Sequence, residues 1–173
     1  MNLKNNILNS YLSFRLGEEV FAANAGKVIN ILEMCDITEV PKAPDYMKGI
    51  INLRGAVLPV IDLRQKLGMT PYIKTPNTCI IVLDVTIDNE TILVGAIVDA
   101  VKAVIEFDRE KLMETPSIGG KFKTEFILGI ANINDEFVMV LDVDEVFTHD
   151  EIVEVQRQIP KTTDENPTIM PEV

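Results

Sequence analysis

Short runs of apolar residues alternate with polar residues through most of the chain, and polar or glycine-containing turns separate the runs. A period of two is typical of β-strands with one buried face, and the longer Val- and Ile-rich runs indicate strands buried on both faces. Turn residues at 17–18, 54–56 and 134–135 each lie between two such runs and predict β-hairpins. The predicted strands are YLSFRL, EEVFAA, VINILEM, GIINLRG, AVLPVID, CIIVLDVTI, TILVGAIV, VKAVIEF, FILGIANI and EFVMVLD.

One part of this pattern occurs twice, 80 residues apart. The segment GIINLRGAVLPVIDLRQKL, which begins at Gly49, falls on GIANINDEFVMVLDVDEVF, which begins at Gly129. The overlay preserves the alternation, the position of the turn and one aspartate in each segment, Asp62 and Asp142. Upstream, VFAANAGKVINIL resembles LVGAIVDAVKAVI at an offset near 73. The chain is therefore predicted to contain two similar units of about five strands each.

Each unit alone would bury only a marginal core, and closing five short strands into a barrel removes exposed sheet edges. We therefore expect a mostly β fold of two small five-stranded β-barrels packed side by side, with short helices. Barrel 1 would span roughly 10–69 and barrel 2 roughly 77–147, with boundaries that can interleave. The seam between them would leave a groove, a common kind of binding site. A single irregular β-sandwich with hairpins that are alike by chance is the alternative.

The C-terminal part differs from the rest of the chain. Thr148 and Glu151 have the spacing of a capping box, and apolar residues then recur at helical spacing. These features predict a C-terminal helix over 148–159, so that the folded part is one domain spanning 10–159. Residues 160–173 contain prolines and little to bury, so we expect a disordered tail there.

Composition limits the possible partners. The net charge of −11 argues against nucleic acid and against docking on an anionic membrane, because both require a basic surface. The N-terminus lacks the pattern of a signal peptide, and the longest apolar stretch, 92–98, is too short to span a bilayer. We expect a soluble, cytoplasmic protein without direct membrane insertion.

No set of residues predicts catalysis, a metal ion or a cofactor. The chain contains no nucleophile elbow, zinc-protease motif, P-loop or dinucleotide fingerprint, and its one histidine, His149, has no catalytic partners in sequence. The acidic run 142–151 lacks the glycine and the ligand spacing of a calcium loop. Cys35 and Cys79 are far apart and indicate packed thiols rather than a disulfide or zinc site. We therefore expect a protein that is not an enzyme.

Arg54 is a charge between two apolar runs, so it must emerge at a strand end or find a partner such as Glu33. It is either a surface turn residue or an arginine at the lip of the groove.

The segment KAPDYMKGIINLRGAVLPVIDLRQKLGM resembles the signature of the CheW-like family of chemotaxis coupling proteins. VINILEMCDITEVP, VGAIVDAVKAVIEF and FILGIANINDEFVMVLDVDEVF resemble further segments of that family in the same order. The resemblance covers about 11–147 and implies two SH3-like β-barrels packed side by side.

The resemblance also implies a function. Such proteins are non-catalytic adaptors that bind the cytoplasmic tip of a methyl-accepting chemoreceptor and the regulatory domain of the histidine kinase CheA. They hold both partners in signalling arrays at the membrane. A CheW-like scaffold in a non-chemotactic two-component pathway is the alternative.

Site residues follow from the same resemblance. The candidates for the receptor-binding groove are Ile31, Asn52, Arg54, Gly55, Val98 and Val101. The candidates for the kinase-binding surface are Val40, Tyr46, Met47 and Val57. One position departs from the family pattern, since Asn30 stands where members often have glutamate. If that glutamate usually pairs with the signature arginine, Arg54 must here use another acid or stay solvated.

Overall fold

Ten β-strands and two short α-helices make up most of the computed structural model, which describes residues 9–115 and 124–147. The predicted helix 148–159, with His149, and the predicted tail 160–173 lie outside the described residues. The strands are β1 Ser10–Leu16, β2 Glu19–Asn24, β3 Val28–Glu33, β4 Met47–Leu53, β5 Ala56–Asp62, β6 Cys79–Ile87, β7 Glu90–Val98, β8 Ala100–Glu106, β9 Ile127–Ile133 and β10 Glu136–Leu141. The helices are α1 Leu63–Lys66 and α2 Val143–Val146, and single 3₁₀ turns cover Ala25–Lys27, Arg109–Lys111 and Thr124–Phe126.

The strands form two five-stranded sheets, each the wall of a small SH3-like barrel. Barrel A has the order β8-β1-β2-β10-β9, and barrel B has the order β3-β6-β7-β5-β4. The mostly β, two-barrel fold is thus confirmed. The barrels do not follow the predicted division at 10–69 and 77–147, because β1 and β2 lie in barrel A whereas β3, β4 and β5 lie in barrel B.

The division differs because the two repeats exchange strands. Each barrel takes two strands from one repeat and three from the other, and both barrels then have the same strand order. The connections explain the exchange. A single residue, Asp99, separates β7 from β8, and this is shorter than the two-residue loop that the tightest common hairpin needs. The strand β8 therefore leaves the sheet of β7 and pairs with β1 in the other barrel.

Three groups of buried residues form the core, because successive residues of a strand face opposite sides of its sheet. In β2, for example, Val20 and Ala22 face the interior of barrel A, whereas Phe21 and Ala23 face barrel B. The interior of barrel B is formed by Ile51, Leu58, Val60, Ile80, Val82 and Ile97. The largest group contains residues of both barrels and is their shared interface, so neither barrel buries its core alone.

The offset of 80 holds in detail. β4, β5 and α1 correspond to β9, β10 and α2, and each helix begins at an aspartate cap, Asp62 or Asp142. Gly49 and Gly129 also correspond, and each lies against a backbone carbonyl, where a Cβ atom would meet Thr38 O at 2.0 Å or Met113 O at 2.9 Å. These close approaches are the physical reason for glycine at both positions.

Candidate functional site

We call Ile31, Cys79, Val98 and Val101 the seam, because Cys79 and Val98 of barrel B and Val101 of barrel A pack in the core that the barrels share, and Ile31 lies on β3, the strand that pairs with β6. Cys79 pairs with Val98 across β6 and β7, and the backbone of Val101 in barrel A forms a hydrogen bond with its thiol. Burial raises the pKa of that thiol, and the hydrogen bond from Val101 opposes the shift. Ile31 lies on the edge strand β3 and is 45% exposed. The seam therefore presents an apolar strip whose floor comes from both barrels.

Val98 is the floor of this strip and not part of its surface. Its side chain is fully buried in the shared core. A buried side chain cannot contact a docked partner, so the predicted receptor-binding role of Val98 can only be indirect. Val101 packs on the same core but is half-buried, and with Ile31 it supplies the accessible part of the seam.

A second surface lies at one open end of barrel B, which we call the mouth groove. It has a volume of about 700 Å³. Two exposed apolar side chains stand on it, Ile29 at 53% and Leu93 at 38% exposure. Its lining is formed by Ile29, Asn30, Leu53, Arg54, Ala56, Val57, Leu58, Pro59, Thr91, Ile92 and Leu93.

The corresponding end of barrel A carries an ion pair instead. The offsets of 73 and 80 place Ile29 on Lys102 and Ala56 on Glu136, and both Ile29 and Lys102 lie at β-bulges. In barrel A, Lys102 Nζ lies 2.6 Å from Glu136 Oε1, and this contact lowers the pKa of the glutamate. Barrel B has apolar residues at both positions, so no such pair crosses its mouth. The duplication therefore leaves an ion pair at one mouth and none at the other, although Phe137, the counterpart of Val57, is 61% exposed beside Glu136.

Three of the predicted receptor-binding residues form the turn beside the mouth groove. Arg54 and Gly55 have φ values of 52° and 86°, the left-handed pair that a tight type I′ hairpin requires. The side-chain oxygen of Asn52 accepts a hydrogen bond from the N–H of Gly55 at 2.8 Å. Asn52 and Gly55 thus shape the turn, whereas Arg54 is exposed and lines the groove. These three residues lie at the β4–β5 turn, whereas Val98 and Val101 pack in the shared core.

Arg54 forms no ion pair with any residue in the described ranges. The amide oxygen of Asn30, at the position where members often have glutamate, instead accepts a hydrogen bond from the N–H of Ile31. Asn30 and Arg54 both line the mouth groove. Arg54 is therefore a turn residue, and the groove that it lines is the mouth groove of barrel B and not the predicted groove between the barrels.

The predicted kinase-binding residues do not form one patch. Val57 lies in the mouth groove, and Val40 is half-buried in the loop before β4. Met47 is 6% exposed at the start of β4, so a direct contact through its side chain is excluded by burial. Tyr46 packs on the shared core, with the buried Lys66 ammonium 4.6 Å from its ring centroid. Met47 therefore stabilises the fold from beneath the surface, whereas Tyr46 packs on the core and stays partly exposed.

One buried carboxylate, that of Asp62, has structural partners. Asp62 is fully buried, and its two carboxylate oxygens accept hydrogen bonds from the N–H groups of Arg64 and Tyr72. Burial raises the pKa of Asp62 and outweighs these hydrogen bonds, which lower it. This carboxylate caps α1 and fastens the linker after it, so it has a stabilising role.

Within residues 9–115 and 124–147 there is no group of three or more side chains suited to hold a metal ion. The helices in that part of the chain are also too short to cross a bilayer.

A two-barrel fold with two apolar surfaces, and with its buried acid used for capping, defines a protein-interaction domain. The family model for the CheW-like domain matches residues 10–151. The chain therefore belongs to the CheW-like family.

Individual relatives agree with this assignment. The chain is 36% identical over 140 residues to a probable chemotaxis protein CheW of Rhizobium etli and 34% identical to the chemotaxis protein CheW of Rhizobium meliloti. Each alignment covers 81% of this chain and 88% of the relative. The crystal structure of the scaffolding protein TtCheW from Thermoanaerobacter tengcongensis superposes with a TM-score of 0.74 at 28% identity, covering 87% of this chain and 95% of that one.

Family membership makes the chain an adaptor of chemotaxis. The alternative, a scaffold in a non-chemotactic pathway, is not favoured, because the relatives are chemotaxis proteins.

Sequence reasoning missed Ile29 and Leu93, the most exposed apolar residues of the mouth groove. A signal for Ile29 was present, because the offset of 73 places this apolar residue on Lys102, a charged residue in the sister repeat.

Proposed function

We propose that the chain couples a chemoreceptor to the histidine kinase CheA through two separate surfaces, without catalytic activity of its own and in the cytoplasm. The observation that carries the proposal is the pair of apolar surfaces, the seam and the mouth groove, on one shared core. An adaptor that holds two partners at once needs two sites that do not overlap. By strand register Ile31 is level with Ala96 and Val57 with Ile92, so these two residues are roughly 13 Å apart along the strands, whereas Ile29 of the mouth groove lies only two residues from Ile31 on β3.

The seam suits the cytoplasmic tip of a receptor, which is a helical hairpin. An amphipathic helix binds by laying its apolar face into an apolar groove. Ile31 of barrel B and Val101 of barrel A supply accessible apolar side chains, and Val101 packs on the same buried core as Val98. We propose Ile31 and Val101 as the receptor contacts.

The mouth groove suits the folded regulatory domain of the kinase. Exposed apolar residues at a groove, with a polar rim, are typical of the centre of a protein interface. Ile29, Val57 and Leu93 provide the apolar centre, and Arg54 stands at the rim. We therefore propose that Arg54 belongs to the kinase surface rather than to the receptor groove, together with Val57.

Two charge insertions test this assignment, with each variant serving as the control for the other. Ile31→Asp should weaken binding of a receptor-tip fragment and leave binding of the kinase regulatory domain unchanged. Leu93→Asp should have the opposite pattern. Isothermal titration calorimetry with both partners measures all four affinities, and circular dichroism checks folding. Loss of both partners in each variant, or of neither, would contradict the proposal of two separate surfaces.

A further inference from the structure

Charged residues join the barrels where the chain crosses from one barrel to the other. The link from β7 to β8 is Asp99 alone. Its carboxylate oxygen Oδ2 accepts a hydrogen bond from the N–H of Gly17, in the β1–β2 turn of barrel A. The same oxygen lies 3.0 Å from Nη1 of Arg64, in the helix α1 that follows barrel B. We call Arg64, Asp99 and Gly17 the first clamp.

The first clamp is held on several sides. The Nε and Nη2 atoms of Arg64 donate hydrogen bonds to the carbonyl and the hydroxyl oxygen of Thr70, both at 2.9 Å. The N–H of Asp99 donates to the carbonyl of Arg15 at 3.0 Å. The Arg64 and Asp99 side chains are only 16% and 20% exposed, so the pair is screened less than a surface ion pair. The crossover is therefore fixed to both barrels.

A second clamp lies at the repeat-related crossover between β2 and β3. Lys27 Nζ lies 3.2 Å from Asp144 Oδ2, and the N–H of Thr86 donates to Asp144 Oδ1 at 2.9 Å. The offset of 80 places Asp144 on Arg64, so the charges are reversed. The helix carries the cation in the first clamp and the anion in the second. The fold thus accepts either polarity at this kind of junction.

The two clamps differ in what they adjoin. Asp99 directly follows Val98 and precedes Val101 by two residues, so the first clamp adjoins the seam along the chain. Lys27 precedes Val28 at the repeat-related junction, and the nearest seam residue along the chain, Ile31, lies four residues after it. The second clamp is therefore a control of the same chemistry in a different place.

We propose that Arg64 and Asp99 are positioning residues for the receptor tip, because they fix the crossover that carries Val98 and Val101. The proposal rests on the proposed function, in which the seam receives the receptor helix. Without the ion pair the barrels lose one tie beside the seam, and the spacing between Val101 and Ile31 is no longer fixed. Receptor binding must then restore that spacing, which lowers the apparent affinity.

The test uses the full chain, a receptor-tip fragment and the kinase regulatory domain. Arg64→Met should weaken receptor binding about tenfold, a typical coupling between a conformational tie and a binding site, and leave kinase binding unchanged. Lys27→Met, the matched control, should leave both affinities unchanged. Arg64→Lys keeps a cation beside Asp99 and leaves the hydrogen bond from the Gly17 N–H to Asp99 in place, so it should retain most of the receptor binding.

The outcomes separate this inference from the proposed function. If Ile31→Asp abolishes receptor binding but Arg64→Met binds normally, the clamp inference is overturned and the proposed function stands. If Ile31→Asp also binds normally, the seam assignment itself fails. Equal loss of both partners in Arg64→Met indicates a general structural role and overturns the inference. If Arg64→Met does not fold, Arg64→Lys decides. A folded Arg64→Lys variant without receptor binding contradicts positioning by the ion pair, and near wild-type binding supports it.

Discussion

Replacing Ile29 with lysine and Ala56 with glutamate should close the mouth groove of barrel B. The two changes copy Lys102 and Glu136, which bridge the corresponding end of barrel A at 2.6 Å. The double variant keeps the net charge of the chain, so any effect on binding is local. We expect it to fold normally, because the residues are exposed and a surface ion pair changes stability by about 1 kcal/mol or less.

The loss of affinity can be estimated from the exposed apolar surface. Full burial of an isoleucine or leucine side chain contributes about 1.5–3 kcal/mol. Ile29 is 53% exposed and Leu93 is 38% exposed, so covering the exposed part of each contributes roughly 1 kcal/mol on that scale. Together they contribute about 2 kcal/mol, and each 1.4 kcal/mol is about tenfold in Kd. The double variant removes the Ile29 side chain and covers Leu93 with the new ion pair, so it should weaken kinase binding by at least about tenfold.

The assay is a titration of the kinase regulatory domain into the wild type and the double variant. Lys102→Ile with Glu136→Ala is the reciprocal control, because it opens the mouth of barrel A and leaves barrel B unchanged. That control should bind the kinase domain with wild-type affinity. Wild-type affinity in the closed variant, with folding intact, would refute the assignment of the mouth groove.

Three further predictions concern stability. Gly49→Ala should lower the free energy of unfolding by more than about 3 kcal/mol, because the new Cβ would lie 2.0 Å from Thr38 O at a φ of 145°. Gly129→Ala should lower it by less, since its Cβ would meet Met113 O at 2.9 Å. Chemical denaturation measures both losses, and equal losses would contradict this reasoning. Asp62 has a raised pKa in the folded state, so its ionisation opposes folding, and stability should rise as pH falls from neutral towards the ordinary value of 3.8. Melting temperatures of the wild type and Asp62→Asn over this pH range test the direction of the effect. On acidification the melting temperature of the wild type should rise relative to that of the variant. Phe21→Ala should lower the free energy of unfolding by about 3–5 kcal/mol, because Phe21 is fully buried in the core that the barrels share. Both barrels should still unfold in one transition, and two separate transitions would contradict a shared core.

The repeat was visible in the sequence because it depends on local signals. Gly49 and Gly129 mark the same close approach to a backbone carbonyl, and Asp62 and Asp142 cap the same short helix. Alternation fixes which residues face a core, so the strands and both barrels could be predicted.

The exchange of strands could not be predicted from alternation, because the pattern that makes a strand does not name its neighbour. β3 and β8 carry the same pattern whichever barrel they join. One signal was available in the link at Asp99, which is too short for a hairpin between β7 and β8.

The site was predicted in part. Ile31, Val101, Arg54 and Val57 reach accessible surfaces, but Val98 and Met47 are buried, since hydrophobic character alone does not distinguish a contact residue from the core beneath it. The mouth groove of barrel B is open because Ile29 and Ala56 stand where barrel A has the charged pair Lys102 and Glu136. Only a comparison of the two barrels shows this difference.

Simultaneous binding of both partners tests the central claim most directly. The chain is saturated with a receptor-tip fragment, and the kinase regulatory domain is then titrated in, with complex size measured by analytical ultracentrifugation. Two separate surfaces predict a complex that contains the chain and both partners, with a kinase affinity unchanged by the receptor fragment. Displacement of the receptor fragment by the kinase domain would show that the two share one surface and would contradict the account.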